Sequence, residues 1–274
     1  MANLEGVAAC RSYDRYQKWP ARVSGAVAEH LLCLAGPPPR TCLFLGAATG
    51  SNDVFPFARR ADPSDRILAS DVSPGFVEAL GRRARAEGAT NVSARRIDIT
   101  TDLEDLPRFT LVTLFFVIHR LAEWRPVVPE LARRLAPGGV FVISEFVGPG
   151  GLIFLSNERG GSGTDPVSRL IRRYFELLPG RFDPPLKSTT ISPVLAGLSR
   201  LLVPSGHRDF HWPQRITVRE AYRRIAEKAY APYFSVPAPD AILERLRHDF
   251  AREMDRRVES TETIRVYAFR APGR

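Results

Sequence analysis

The stretch TCLFLGAATGSND at residues 41–53 decides the fold that this sequence predicts. Its apolar run, CLFL, stops at the small residues GAATG, and the polar residues Ser51, Asn52 and Asp53 follow. This order predicts a buried strand, a tight glycine turn and a helix capped by Ser51 or Asn52. Small residues let a ligand approach the backbone, and a helix N-terminus offers free N–H groups. The turn alone is equally compatible with an ordinary strand-to-helix connection.

Apolar strands continue to alternate with helices after this turn. Strands are predicted at 66–70, 92–99, 111–118 and 140–144, and helices lie between them. This alternation with short connections is typical of a doubly wound α/β sheet whose strands are mostly parallel. Ligands of such sheets bind beyond the carboxyl ends of the strands. Those ends are predicted to bring together the turn at 46–50, Asp71, Asp98, His119 and Glu145.

The segments outside this core are predicted to be largely helical. Two apolar helices, 167–178 and 193–203, flank a proline-rich segment and indicate a helical cap. Strands at 210–216 and 263–270 complete a seven-stranded sheet, and helices at 217–229 and 240–257 lie between them. We therefore expect N-terminal helices at 1–36 that pack over the ligand site, a core at 37–147, a cap at 148–206, and C-terminal strands and helices at 207–274.

Composition places the chain among ordinary globular proteins. Its 274 residues are 44% hydrophobic and 25% charged, which suits one large domain or a core with an elaboration. No apolar run approaches the ~20 residues that cross a bilayer, and no signal-peptide pattern is present. The cysteines Cys10, Cys33 and Cys42 lack metal-ligand spacing, and their odd number does not suggest a disulfide framework. We therefore expect a reduced, cytoplasmic protein with no metal site and no membrane partner.

The net charge of +9 permits an acidic partner such as RNA. The positive charge is nearly all arginine, however, in pairs that fall on the polar faces of predicted helices. The sequence has no interleaving of arginines with aromatic residues of the kind that stacks bases. These features favour solvated surfaces over a nucleic-acid interface. A homodimer is the one assembly that we consider.

The glycine turn departs from the dinucleotide-binding pattern. That pattern requires three glycines at G-x-G-x-x-G spacing, and here only Gly46 and Gly50 are present. The turn instead resembles the G-x-G-x-G motif of class I S-adenosylmethionine-dependent methyltransferases. Later segments of the chain, from 23 to 146, resemble the same family: ILASDVSPGFVEAL, RRIDIT, LVTLFFVIHRL and LARRLAPGGVFVISEF.

This resemblance implies a cofactor, S-adenosylmethionine, whose product is S-adenosylhomocysteine. Asp71 matches the family's acidic residue that holds the ribose hydroxyls, and Asp98 matches the residue that contacts the adenine amino group. The resemblance further implies a Rossmann-like methyltransferase fold and, by its helical cap, a small-molecule acceptor. The cofactor-binding residues that it implies are Tyr16, Gly46, Ala47, Ala48, Gly50, Asn52, Asp71, Val72, Asp98, Ile99, Phe115 and Phe116.

Three positions depart from the family's pattern. Phe44 stands where the family usually has an acidic residue that orders the turn and the cofactor's amino-acid end. Ala48 replaces the middle glycine, which is tolerable if its backbone stays in an allowed region. Thr110 stands where an aspartate commonly opens the fourth strand, and this change concerns strand entry.

Two residues are candidates for catalysis. Methyl transfer needs the acceptor to be positioned and, for some acceptors, a proton to be removed. His119 is a candidate general base, with a ligand-shaping histidine as the alternative. Glu145 is a candidate base or acceptor contact, with an arginine ion pair as the alternative. His207 and His211 are candidates to line the acceptor pocket, whereas Trp124 and Trp212 are expected to pack.

The sequence therefore favours a methyltransferase that acts on a small apolar or aromatic molecule, as in specialised metabolism, in a pocket closed by the cap. An RNA or protein methyltransferase is the second hypothesis, suggested by the charge. A catalytically silent, methyltransferase-like binding protein is the third, suggested by Phe44.

Overall fold

One sheet organises the computed structural model, which describes residues 7–118, 121, 123–147, 164–177, 191–227 and 240–273. Its strands are β1 (Thr41–Leu45), β2 (Arg66–Asp71), β3 (Val92–Arg96), β4 (Phe109–Phe115), β5 (Leu135–Phe146), β6 (Val203–Thr217) and β7 (Arg257–Arg270). They lie in the order β3-β2-β1-β4-β5-β7-β6. The first five strands are parallel, and β7 is antiparallel to both of its neighbours. The predicted doubly wound, mostly parallel sheet is confirmed.

Helices cover both faces of this sheet. They are α1 (Val7–Tyr16), α2 (Ala21–Ala35), α3 (Val54–Ala58), α4 (Pro74–Ala86), α5 (Val127–Arg133), α6 (Pro166–Leu177), α7 (Ile191–Ser199), α8 (Val218–Ala226) and α9 (Asp240–Asp249). The chain leaves β1 toward β2 on one side and returns to β4 on the other. The order of the strands therefore reverses between β1 and β4, and this is where open α/β sheets bind ligands.

The apolar residues of β1 alternate between two separate cores. Cys42 and Phe44 face α2 and α3, where the ring of Phe44 meets that of Phe57 edge to face at 5.3 Å. Leu43 and Leu45 face the opposite core, which α5 and α7 cover. Burial on both faces explains why β1 is a continuous apolar run rather than an alternating one.

The helix after the glycine turn begins later than expected. It is capped by Asp53, whose Oδ1 accepts a hydrogen bond of 2.7 Å from the N–H of Val54, and not by Ser51 or Asn52. Asn52 is instead engaged by the backbone of the segment that follows α1, so its side chain is not available as a cap. The helix ends at Ala58 rather than at 61.

Several strand ends also differ from the prediction. The third strand ends at Arg96 rather than 99, and the fourth runs from Phe109 to Phe115 rather than from 111 to 118. The fifth begins at Leu135 rather than at 140, because Leu135 pairs with Phe109 across a register shift. The sixth and seventh strands are extended mainly at their N-terminal ends, because they pair with each other over most of their length.

The two helices of the predicted cap join different cores. Helix α7 packs on α5 through Val194 and Leu198, in the core that contains Leu43 and Leu45. Helix α6 packs with α8 and α9 in a separate helical cluster, through Leu170 and Tyr174. Thr217 caps α8, since its Oγ1 accepts from the N–H of Glu220 at 3.1 Å. Helix α9 ends at 249, short of the predicted 257. None of the described helices has the length and apolar character to span a membrane.

Burial of Phe44 makes a first prediction. Its side chain is 0% exposed, so Phe44→Ala removes a packed ring and leaves a cavity. The free energy of unfolding in urea, followed by circular dichroism, is expected to fall by about 3 to 5 kcal/mol. The control is Val203→Ala at a position that is 57% exposed, with an expected change under about 0.5 kcal/mol. Equal effects of the two substitutions would contradict the packing of Phe44.

Asp53 makes a second prediction, which concerns pH. Burial raises the pKa of this carboxyl to about 6, despite the hydrogen bond from Val54. The folded protein therefore binds the proton more tightly than the unfolded chain, and the free energy of unfolding falls as pH rises from about 4 to about 6. Asp53→Asn keeps the cap without the charge. It is expected to be more stable than the parent by about 2 to 3 kcal/mol at about pH 7, with the difference vanishing toward about pH 4. The control is Asp105→Asn, at an exposed site; a gain from Asp53→Asn that does not depend on pH would contradict the assignment.

Candidate functional site

The turn after β1 alternates in backbone conformation. Gly46, Ala48 and Gly50 have positive φ angles of 64°, 49° and 68°. A Cβ at Gly46 would lie 2.2 Å from the side chain of Val117, so this position requires glycine. Ala48 adopts the left-handed conformation with its methyl buried against Cys10 and Phe76. The sequence G-x-A-x-G therefore forms the backbone expected of three alternating glycines, at a cost of roughly 1 kcal/mol for alanine.

Asp71, at the carboxyl end of β2, fixes this turn. Its Oδ2 accepts a hydrogen bond of 3.0 Å from the N–H of Ala48, and its Oδ1 accepts one of 2.9 Å from the N–H of Ser73. The N–H of Ala47 also donates to the carbonyl of Ser70 at 2.8 Å. The carboxylate is buried and bridges the turn and the start of α4. Sequence reasoning placed Asp71 beside the turn, and the structure brings the two into contact.

The segment that contains the end of α1 lies on the other side of the turn. Asn52 donates from Nδ2 to the carbonyl of Gln17 at 2.9 Å, and its Oδ1 accepts from the N–H of Trp19 at 2.9 Å. Asp14 accepts from the hydroxyls of Thr49 at 2.6 Å and Ser51 at 2.5 Å. The N-terminal segment is thus fastened to the turn by side chains of both partners. Tyr16 is the last residue of α1.

The predicted adenine contacts lie beyond β2 and β3. Val72 is an apolar side chain that is 37% exposed, directly after Asp71. Asp98 follows the end of β3 and is half-buried, and its Oδ1 accepts from the N–H and the hydroxyl of Thr100 at 2.9 and 2.6 Å. Ile99, beside it, packs partly into the same core as α7. An exposed apolar surface and a carboxylate are therefore available at this end of the sheet.

An aromatic cluster stands at the carboxyl ends of β4 and β5. We use this name for Trp19, Phe115, Phe116, Phe146 and Trp212. The rings of Phe116 and Phe146 stack at 4.3 Å with 17° between their planes, and Trp19 meets Phe116 edge to face at 5.9 Å. Trp212 lies 6.5 Å from both Trp19 and Phe146.

The backbone of Phe116 has a φ of 55°, which is rare for a bulky residue and costs of order 1 to 3 kcal/mol. Strained residues of this kind concentrate at functional sites.

Two buried polar atoms of the segment that follows α1 lack partners among the residues that the structure describes. They are Nε1 of Trp19 and Oε1 of Gln17, on side chains from residues that are 4% and 6% exposed. Ser144 pairs in register with Phe115, and its buried hydroxyl also lacks a hydrogen-bond partner among these residues. An unpaired buried donor or acceptor costs about 1 to 3 kcal/mol. A bound molecule or water that supplies a partner would recover this energy.

Glu145 faces away from the aromatic cluster. Consecutive strand residues point to opposite faces, so Glu145 and Phe146 lie on different sides of β5. Tyr267 donates its hydroxyl to Oε1 of Glu145 at 2.5 Å, and Arg265 is the register partner of Glu145. Burial, and then this carboxylate, raise the pKa of Tyr267 to about 12. The structure therefore gives Glu145 a tyrosine partner where the sequence suggested an arginine pair.

His207 and His211 also lie on this outer face. Both are exposed on β6; the ring of His207 lies 5.6 Å from that of Tyr267, and Nδ1 of His211 lies 2.9 Å from the hydroxyl of Thr263. The sheet separates both side chains from the aromatic cluster, and the expectation that they line the acceptor pocket stays a prediction. His119, the other candidate base, lies outside the described residues.

Sequence reasoning missed two carboxylates near the site. Asp14 contacts the turn from a helix more than 30 residues earlier in the chain, and no local pattern indicates that contact. Glu262 is 1% exposed and pairs in register with Trp212. A signal for Glu262 did exist, because it shares the strand phase of the buried residues Ile264 and Val266.

Comparison with known proteins identifies the core. Residues 43–141 match a family model described as a methyltransferase domain. The demethylmenaquinone methyltransferase of Thermus thermophilus is 29% identical over 120 residues, which are 43% of this chain and 52% of that protein. The protein of the same name from Clavibacter sepedonicus is 35% identical over 133 residues, which are 48% of this chain and 49% of that protein. The chain thus spans about half the length of the curated relatives that it matches.

The likeness in fold extends further along the chain. The crystal structure of the YcgJ protein from Bacillus subtilis superposes with a TM-score of 0.57 at 17% identity, covering 93% of this chain and 100% of that one. At this identity the likeness concerns the fold alone. Residues 43–141 therefore resemble a methyltransferase domain in sequence, and the chain shares the fold of the YcgJ protein.

Proposed function

We propose that the protein is an S-adenosylmethionine-dependent methyltransferase whose acceptor is a small aromatic molecule. The observation that carries this proposal is the juxtaposition at the switch point of the sheet. There the turn at 46–50, fixed by Asp71, follows β1, and the aromatic cluster follows the neighbouring strand β4.

The residues at the turn fit such a cofactor. The backbone of Gly46, Ala47, Ala48 and Gly50 would cradle the amino-acid and ribose portions, with Asp71 against the ribose hydroxyls. The fit rests on the left-handed turn, which keeps side chains out of the way of a ligand.

At the far end of the turn, the exposed side chain of Val72 and the partly buried Ile99 would enclose the adenine, with Asp98 at its amino group. Tyr16, Asn52, Phe115 and Phe116 would complete the enclosure. The cofactor supplies a methyl group activated by a sulfonium, so this chain has to bind, orient and exclude water.

The aromatic cluster supports a planar acceptor. Phe116 and Phe146 are half-buried and stacked, and aromatic surroundings of this kind suit a planar aromatic ligand. The N–H of Trp19 and the amide oxygen of Gln17 would supply one donor and one acceptor to a hydroxyl or carbonyl on that ring. The curated relatives are named for demethylmenaquinone, which is consistent with a molecule of this class.

The parts around the core take supporting roles in this proposal. The N-terminal helices at 1–36 cover the cofactor, and 207–274 complete the core. A cap drawn from 148–206 closes over the acceptor without α7, which packs on α5. Specialised metabolism is a fitting context for an acceptor of this kind. His119 is the proposed proton acceptor where one is needed, ahead of Glu145, because Glu145 is bonded to Tyr267 on the other face of the sheet.

An RNA or protein acceptor is less consistent with the arrangement of charge. Arginines in several places along the chain face carboxylates: Arg59–Glu87 at 2.7 Å, Arg173–Asp249 at 3.2 Å, Arg219–Asp255 at 2.9 Å and Arg265–Asp209 at 2.7 Å. Such pairing neutralises charge locally, and so the net charge does not by itself build a basic surface.

Calorimetric titration with S-adenosylhomocysteine tests the cofactor site. We expect the parent protein to bind, and Asp71→Ala to weaken binding at least about tenfold through loss of a charge-assisted contact. The control is Asp105→Ala, which removes an exposed carboxylate and is expected to have no effect. No binding at millimolar ligand would overturn the proposed function, whereas unchanged affinity in Asp71→Ala would overturn only the role of Asp71.

The acceptor site is tested with naphthohydroquinone, kept anaerobic, and with naphthalene as the matched ligand that lacks hydroxyls. In the complex with S-adenosylhomocysteine, Trp19→Phe is expected to weaken naphthohydroquinone about five- to tenfold, since one hydrogen bond is lost. Binding of naphthalene and of the cofactor product is expected to persist, because the ring remains. Equal losses for both aromatic ligands would argue against the indole N–H as a contact.

A further inference from the structure

We propose that Asp14 of α1 binds the amino group at the methionine end of S-adenosylmethionine. This inference rests on the proposed function and adds to it a binding residue from outside the methyltransferase domain. The observation behind it is a carboxylate that is held on the glycine turn by one oxygen only.

The hydrogen bonds of Asp14 define that arrangement. Thr49 and Ser51 both donate their hydroxyls to Oδ1, at 2.6 and 2.5 Å, and the two hydroxyls lie 3.0 Å apart. Both donors are buried, at 3% and 4% exposure, whereas Asp14 itself is exposed. Within the described part of the chain, Oδ2 accepts no hydrogen bond and forms no ion pair. One oxygen of the carboxylate is thus anchored and the other is open to a ligand.

The other carboxylates at the turn are committed elsewhere. Asp53 is buried and caps α3 through the N–H of Val54. Asp71 is buried and bridges Ala48 and Ser73 on the far side of the turn. Phe44, in the strand that leads into the turn, contributes no charge and packs against Phe57. Asp14 is therefore the exposed carboxylate that contacts this turn among the residues described.

The arginine that contacts the same turn is paired with a different carboxylate. Arg83 donates to the hydroxyl of Ser51 but is paired with Glu87 at 2.7 Å. The methionine end of the cofactor carries an ammonium group, and the adjacent sulfonium is also positive. A fixed carboxylate next to these charges gains a charge-assisted hydrogen bond, which is about twice as strong as a neutral one.

A purely structural role for Asp14 makes a different prediction. If Asp14 only fastens α1 to the turn, its loss should weaken every ligand of the turn alike. Methylthioadenosine separates the two cases, because it keeps the adenosine and the thioether of S-adenosylhomocysteine but lacks the amino-acid end. The ratio of the two affinities reports on contacts with the amino-acid end alone.

The experiment is calorimetric titration of both ligands into the full chain and its variants. Asp14→Asn keeps an oxygen that can accept from Thr49 and Ser51 but removes the charge. We expect S-adenosylhomocysteine to bind about tenfold more weakly or worse, and methylthioadenosine to change less than about twofold. The matched control is Glu29→Gln, on the exposed side of α2, which is expected to change neither affinity.

A second variant keeps the test decisive should Asp14→Asn not fold. Asp14→Glu retains the charge and is expected to keep S-adenosylhomocysteine within about threefold of the parent. Equal losses for both ligands in Asp14→Asn, no loss for either, or a tenfold loss in Asp14→Glu would overturn the inference. Failure of the parent to bind either ligand would instead overturn the proposed function.

Discussion

The hydrogen bond from the N–H of Ala48 to Asp71 is the contact on which the site depends. The sheet already holds β1 and β2 in parallel register. This hydrogen bond adds a link between the turn after β1 and the end of β2, and so it fixes the position of the turn. A turn with three left-handed residues has many other conformations available, because glycine at two of the three positions permits them. A buried carboxylate that receives two backbone N–H groups selects one of them.

The fold could be predicted from the sequence, but the ends of its strands could not. The apolar run at 42–45 and the run at 111–115, which is apolar except for Thr113, both require burial on two faces, and this indicates a parallel sheet covered by helices. The ends of strands are set by partners that are distant in sequence. Because Phe109 pairs with Leu135, β5 begins before Pro137 and Gly138. The local sequence of these two residues favours the end of a helix instead. Pairing of β6 with β7 extends both strands in the same way.

The candidate site divides along the same line. Asp71 was predictable because its place follows from the end of a strand and the spacing to the turn. Which face of the sheet each side chain of β5 and β6 occupies was not predictable. A shift of one residue in the strand would exchange Glu145 and Phe146 between the two faces, and only one of them can meet the aromatic cluster. Asp14 and Glu262 were missed for a further reason. Each reaches the site through tertiary contact, from α1 and from β7. The strand phase of Glu262 indicates burial but not ligand binding, and Asp14 has no local signal of either kind.

Phe44 and Asp14 are best understood together. A carboxylate at position 44 would share the fully buried environment of Phe44, between α2 and α3, and its desolvation would oppose ionisation. Asp53 shows this effect at the same turn, where burial raises the pKa of the carboxyl to about 6. A phenylalanine at 44 avoids that cost and contributes ring packing to the core. A carboxylate on the exposed face of α1 remains hydrated on one side while two hydroxyls orient it on the other. The negative charge therefore lies beside the turn, on Asp14, and not in the buried strand β1. In this arrangement α1 contributes a ligand-binding residue as well as covering the cofactor site.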